Sequence, residues 1–424
     1  MKVELPYGER GTKITVPDDA TVLLPNATAP LADAEAAVRG AIAEPTGCAP
    51  LARIARGARR AAIVVSDVTR PVPNAVLLPP VLETIEAAGV AYDAITIVIG
   101  TGLHRVSRDD ERVRILGPEI AAAYRIVDHD ARDASQHRHL LTTPRGVDVR
   151  LNAAYLEADL RIVTGFVEPH LFAGYSGGGK AVMPGIADAA SIMANHDARM
   201  VGHPNATWCT TEGNPIFEEM REVALRSGVS FSLNVTLDER KRITGVFAGE
   251  LAAAHDAAIA QAARQAVCPV PGAFDVVVAT NMGYPADLNL YQSVKGISVA
   301  AQACATGGAI VLVAECREGV GGPEYRALLE GERSPAALLA RLQAGATVHD
   351  QWQAQVQAMV QARCDVWLHS SLPDETVEAA HLRPAPDLDG TLARILDAKR
   401  AALGREPSVC VLPYGQLTVP RVAP

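Results

Sequence analysis

Gly177, Gly178 and Gly179 stand directly before Lys180, inside TGFVEPHLFAGYSGGGKAVMPG (164–185). Consecutive glycines allow backbone conformations and close approaches that side chains block. Their amides can form an anion-binding nest, and the lysine can supply a positive charge or an amine nucleophile. Gly174 to Lys180 also satisfies the spacing GxxxxGK of a phosphate-binding loop. The next residue, however, is Ala181, where that motif needs Ser or Thr to hold magnesium. A triphosphate site, another phosphate or cofactor site, and a structural turn all stay open on these residues alone.

Histidines flank the loop. His170 precedes the glycines, and NHDARMVGHP adds His196 and His203 after them. Histidine serves as a proton-transfer base near neutral pH or as a nitrogen ligand to zinc, nickel, copper or iron. The spacing does not match HExxH, so metalloprotease chemistry has no support. Each ring alone can equally be a hydrogen-bonded structural residue. SDVTRP supplies Asp67 and Arg70, and TGLHR supplies His104. In the second half, NLYQSVKG (289–296) opens a predicted helix. Tyr291 and Lys295 share one face there, and Gln292 and Lys295 are three-residue neighbours. A helix cap accounts for the same polarity.

Strands must hold these groups. The apolar runs at 61–67, 95–104, 161–166, 231–237, 275–281, 309–316 and 365–369 alternate with helical stretches such as 31–44 and 251–266. That alternation predicts mostly parallel sheets with helices on both faces, where ligands bind beyond the carboxyl ends of strands. Residues 1–25 read as short strands, the first of them patterned like an edge hairpin. CPVPGAFD breaks the pattern after helix 251–266, so the expected boundary lies at about 268–274. The expected units are 1–270, carrying cofactor and metal residues, and 275–424, an α/β domain adding substrate-side residues. The fold class is α/β, two mixed or mostly parallel domains with the active site in the cleft between them.

Composition narrows the function classes. The 424 residues are 49% hydrophobic and 21% charged with a net charge of −9, enough for large cores and without a basic footprint for nucleic acid. Seven cysteines lack paired spacing, which favours a reducing compartment. No apolar run approaches the roughly 18 to 20 residues of a membrane span. The expectation is a cytoplasmic protein with no nucleic-acid or membrane partner.

SDVTRP at 66–71, GTGLHR at 100–105, EPHLFAGYSGGGK at 168–180, NH at 195–196 and YQSVKG at 291–296 together resemble the nickel-pincer lactate racemase family of 2-hydroxy acid racemases and epimerases. The resemblance spans nearly the whole chain. It implies nickel held in pyridinium-3,5-bisthiocarboxylic acid mononucleotide, a nickel-pincer nucleotide, loaded by cofactor-biosynthesis enzymes. By motif position it implies that Lys180 links the cofactor through a thioamide and that His196 ligates nickel. His104 and His170 become the paired acid/base residues. Arg70, Gln292 and Lys295 surround the substrate carboxylate or nearby polar groups, Lys295 also counting among the catalytic residues, and Asp67 positions the acid/base machinery. Gly177, Gly178 and Gly179 approach the nucleotide phosphate, while Tyr291 and Trp352 line the cofactor pocket. The implied chemistry is proton-coupled hydride transfer through a bound 2-keto acid, with lactate as the default substrate. Two alternatives stand beside it, a binding module for hydroxy acids without chemistry and a phosphate-loop nucleotide enzyme.

Overall fold

The computed structural model describes residues 1–423. Its centre is two six-stranded sheets. The first runs in the order Ile243–Gly249, Phe231–Leu237, Leu160–Phe166, Ala61–Ser66, Ile95–Gly100 and Arg125–Asp128. All neighbours are parallel except the edge pair Phe231–Leu237 and Ile243–Gly249. The three central strands bury nearly every side chain, as continuous β-branched runs do when helices cover both faces.

From strand Ala61–Ser66 the chain moves outward through Ile95–Gly100 and Arg125–Asp128, then returns to the opposite side with Leu160–Phe166. That reversal leaves a crevice at the carboxyl ends of the strands, the place where open α/β sheets take ligands. Asp67, His104 and His170 all lie just beyond these ends.

The second sheet is parallel throughout, in the order Arg383–Pro384, Asp365–His369, Cys304–Val313, Phe274–Thr280, Val409–Leu412 and Thr21–Val22. Both chain ends cross the expected division into 1–270 and 275–424. Thr21–Val22 pairs with Val409–Leu412, and Val419–Val422 pairs with Val267–Val270. The hairpin Lys2–Leu5 and Thr12–Thr15 buries Val3, Leu5 and Ile14 against Val276, Val278 and Val311 of the second sheet. The physical cause is twofold. A bare edge strand needs a backbone partner, and the one-sided apolar alternation of the hairpin needs a core to face.

Helix Leu251–Ala266 matches the predicted span, and the alanine-rich stretch 31–44 folds as Ala34–Ala43. Asp33 caps the latter by accepting from the Ala36 amide at 2.9 Å, which explains its start. Among the described residues, no helix is long and apolar enough to cross a membrane.

Candidate active site

Asp67 follows strand Ala61–Ser66 and is 6% exposed. Its Oδ1 accepts from Thr69 Oγ1 at 2.6 Å and from the Thr69 amide at 3.2 Å. Its Oδ2 lies 2.7 Å from His104 Nδ1. Burial works against ionisation of Asp67, but His104, Thr69 and Arg70 outweigh it and hold the carboxyl below its ordinary range. A carboxylate can only accept, so Nδ1 of His104 carries the hydrogen and Nε2 keeps the lone pair. In that tautomer Nε2 of His104 can accept a proton.

His170 has the opposite arrangement. It sits in the short hairpin Pro169–His170 and Gly174–Tyr175, and its Nδ1 accepts from the Ala173 amide at 3.2 Å. The neutral ring therefore carries its hydrogen on Nε2. Burial, joined by the charges of Lys180, Arg70, Lys295 and His196, pushes its pKa well down. His170 is neutral near pH 7 and offers an N–H donor.

Lys180 lies in the turn Gly178–Ala181. Burial and the cations Arg70 and Lys295 lower its amine to about 7, so an appreciable fraction is neutral and nucleophilic near neutrality. The glycines before it answer to protein neighbours. Gly177 has φ +74°, and a Cβ there would stand 2.6 Å from Val167 Cγ2. Gly178 has φ +51°, and a Cβ there would run into the His255 ring. The Gly178 amide donates to Asn234 Oδ1 at 3.0 Å, and the Lys180 amide to Gly177 O at 3.0 Å. One amide of the expected nest, that of Gly178, is thus already spent, and the glycines shape the loop that carries Lys180. No long helix begins at the loop, since the next α-helix is Ala189–Asn195. The phosphate-loop reading loses its helix N-terminus as well as its magnesium ligand.

His196 is the C-cap of that helix. Its Nδ1 is 3.1 Å from the Ile192 carbonyl, which can only accept, so Nδ1 donates and Nε2 is left as the lone-pair nitrogen. Burial and Lys180 lower its pKa to about 3. A neutral imidazole with its second nitrogen hydrogen-bonded to a carbonyl is the form that binds a transition metal. The segment is clamped from behind: Arg145 donates to Glu219, Asp197 and the Ala194 carbonyl at 2.9 to 3.2 Å, and Asn195 Nδ2 donates to Glu219 Oε1 at 3.0 Å. Phe172 stands edge-on between the rings of His170 and His196, with centroids 4.7 and 5.3 Å away. Trp352 meets His196 edge-on at 5.2 Å and donates from Nε1 to Tyr291 Oη at 3.2 Å. Tyr291 Oη in turn donates to Asp350 Oδ1 at 2.9 Å.

The second half reaches the site through helix Leu290–Ala300, started by Asn289, whose side chain accepts from the Gln292 amide at 3.0 Å. Lys295 Nζ donates to Gln292 Oε1 at 3.2 Å. Burial and Arg70 lower Lys295 to about 8 while Glu168 pulls it back up. Arg70 and Lys295 both act on His170 and on Lys180, so groups from both sheets share one electrostatic field. His203 does not join them: it is exposed and its Nδ1 accepts from the Asn205 amide at 3.2 Å.

Sequence reading passed over Glu168 and Phe172. Glu168 Oε1 is 4.0 Å from Arg70 Nη1; its position two residues before His170 at a strand exit was the available signal. Phe172 gave none, because an aromatic residue in an apolar run looks like core.

The donor set fits the cofactor implied by the motifs: a half-buried amine with a lowered pKa, a neutral histidine with a free Nε2, and aromatic rings around it. Two family models match, the lactate racemase N-terminal domain over residues 7–209 and the lactate racemase C-terminal domain over 271–419. The lactate racemase of Lactiplantibacillus plantarum is 35% identical over 428 residues, covering 98% of each chain. That of Thermoanaerobacterium thermosaccharolyticum is 31% identical over 427 residues, covering 99% of each. The solved apoprotein of the latter superposes with a TM-score of 0.92 at 31% identity, covering 99% of this chain and 100% of that one. A Thermotoga maritima protein, 16% identical with a TM-score of 0.69 and coverage of 94% and 100%, shares the fold alone. With more than four fifths of its length under these family models and relatives matched end to end, the chain belongs to the lactate racemase family of racemase enzymes.

Proposed function

We propose that the protein is a nickel-dependent racemase or epimerase of a small 2-hydroxy acid, with lactate as the default substrate. The observation that carries this reading is the shared field of Lys180, His170, Arg70 and Lys295, drawn from both halves of the chain. Lactate is the substrate named for the relatives. Bound through Lys180 and His196, a nickel-pincer nucleotide would supply the reversible acceptor for the hydride on the substrate's 2-carbon.

The chain's own residues do the rest. Arg70 and Lys295, supported by Gln292, hold the substrate carboxylate. His104 Nε2, kept free by Asp67, takes the hydroxyl proton. His170 Nε2–H donates a hydrogen bond to the substrate oxygen, and to act as acid or base for the other enantiomer its ring must carry a hydrogen on Nδ1, which requires it to give up the Ala173 amide. Trp352, Tyr291 and Phe172 exclude water around His196. The glycines present Lys180 and would approach the phosphate of the cofactor. The reading includes work in the cytoplasm and maturation by cofactor-making enzymes.

Nickel analysis and intact mass of protein expressed with those enzymes test the reading, together with chiral chromatography of lactate. A nickel-bearing adduct that needs Lys180, with interconversion of the enantiomers, is expected. Adduct-loaded protein that binds lactate without interconverting it would instead establish the binding module.

A further inference from the structure

Glu168 has no task in the reaction just described. Its backbone is fixed, since its amide donates to Ser176 Oγ at 2.9 Å and its carbonyl accepts from the Ser176 amide at 2.9 Å. Its side chain, 25% exposed, stands 4.0 Å from the guanidinium of Arg70, which is 32% exposed. That separation gives Coulombic attraction but is too long for a hydrogen bond, so Arg70 spends none of its donors on Glu168. Burial raises the Glu168 carboxyl above its ordinary value, and the charges of Arg70 and Lys295 offset part of that rise. Arg70 is thus the ion-pair neighbour of a resident carboxylate that also lies within the field of Lys295.

We infer that Glu168 is a specificity-determining residue, the resident anion that shares the Arg70 and Lys295 charges with one substrate carboxylate and so restricts the site to monocarboxylate 2-hydroxy acids. The inference rests on the proposed function and deepens it. Two cations face two carboxylates when a monocarboxylate is bound. Lys180, the remaining cation of the cluster, loses its charge once acylated. A second substrate carboxylate would meet the Glu168 charge with neither Arg70 nor Lys295 left free to offset it. One like charge a few ångströms away, at the effective dielectric of a partly buried site, weakens binding by about tenfold or more.

The test uses cofactor-loaded protein and three probes: lactate, malate, and malate esterified at its distal carboxylate. The ester keeps malate's length and removes one charge. Equilibrium binding by calorimetry should favour the ester over malate by about tenfold or more. Glu168→Gln should close that gap, and Glu168→Asp, which keeps the charge, should retain it. Equal affinity for malate and its ester in the unaltered protein would overturn the inference, and so would an unchanged gap in Glu168→Gln. The comparison in the unaltered protein decides the matter even if the Gln variant does not fold. Chiral chromatography of the same mixtures keeps the two claims apart: discrimination in binding without interconversion rejects the racemase reading alone, while interconversion with no discrimination rejects the role of Glu168 alone.

Discussion

Asp67 Oδ2 lies 2.7 Å from His104 Nδ1, and this contact determines which nitrogen of the imidazole is left as a base. Asp67→Asn presents an amide that can donate to Nδ1 and favour the wrong tautomer. Turnover should fall by about 10²- to 10⁴-fold, the usual contribution of a positioned acid/base group, with KM changed little. Steady-state kinetics checks this. The pair also links stability to pH. Because the folded Asp67 pKa is lowered, its contribution is complete above the ordinary carboxylate range and is lost as pH falls through the folded value. Acid titration of thermal stability should show Asp67→Asn losing part of that dependence.

Lys180 carries the opposite sign. Its folded pKa of about 7 is below the ordinary 10.5, so between those values the unfolded chain binds the extra proton and stability rises with pH. Below pH 7 the buried charge is a burden. Without cofactor, Lys180→Met should raise the melting temperature at pH 6 by about 2–4 °C and abolish adduct formation. Differential scanning calorimetry and intact mass read the two effects, and a lower melting temperature at pH 6 would contradict the assigned burial.

His196→Ala should separate the two attachments. The Lys180 adduct should persist while nickel content falls by about 10-fold or more, the scale on which metal sites respond to losing a ligand or its support. Mass spectrometry and elemental analysis of the same sample settle it, and full nickel retention would remove His196 from the ligand set. Arg145→Ala, which unclamps the segment from Glu219 and Asp197, should weaken nickel retention less.

The strand-end positions of Asp67, His104 and His170 were legible because apolar β-branched runs stop abruptly at polar residues. Helix Leu290–Ala300 was equally legible, since Asn289 and the spacing of Gln292 and Lys295 give its cap and face. The crossing of Thr21–Val22 into the second sheet was not, because two residues with β propensity do not say which edge they complete. The glycines illustrate a different limit. Their type announced a tight backbone, but the groups that demand it, Val167 and the His255 ring, come from outside the loop. The tautomers of His104, His170 and His196 depend on single partners at Asp67, Ala173 and Ile192, and no residue pattern encodes them.

Groups from both sheets meet at the site, and closure between them should accompany substrate binding. Small-angle scattering of cofactor-loaded protein with and without lactate should show a smaller radius of gyration in the bound state. An identical profile under saturating substrate would argue for a preformed, rigid site.

The most direct measurement is the fate of the 2-hydrogen during interconversion. Cofactor-loaded protein given 2-deuterated L-lactate in ordinary water should yield D-lactate that keeps most of its label, approaching the same enantiomer ratio as when the reaction starts from D-lactate. His104→Ala and His170→Ala should each greatly reduce the rate while leaving the Lys180 adduct intact. Product that has exchanged its deuterium with solvent, or two single variants with undiminished turnover, would contradict hydride transfer in the first case and the paired histidines in the second.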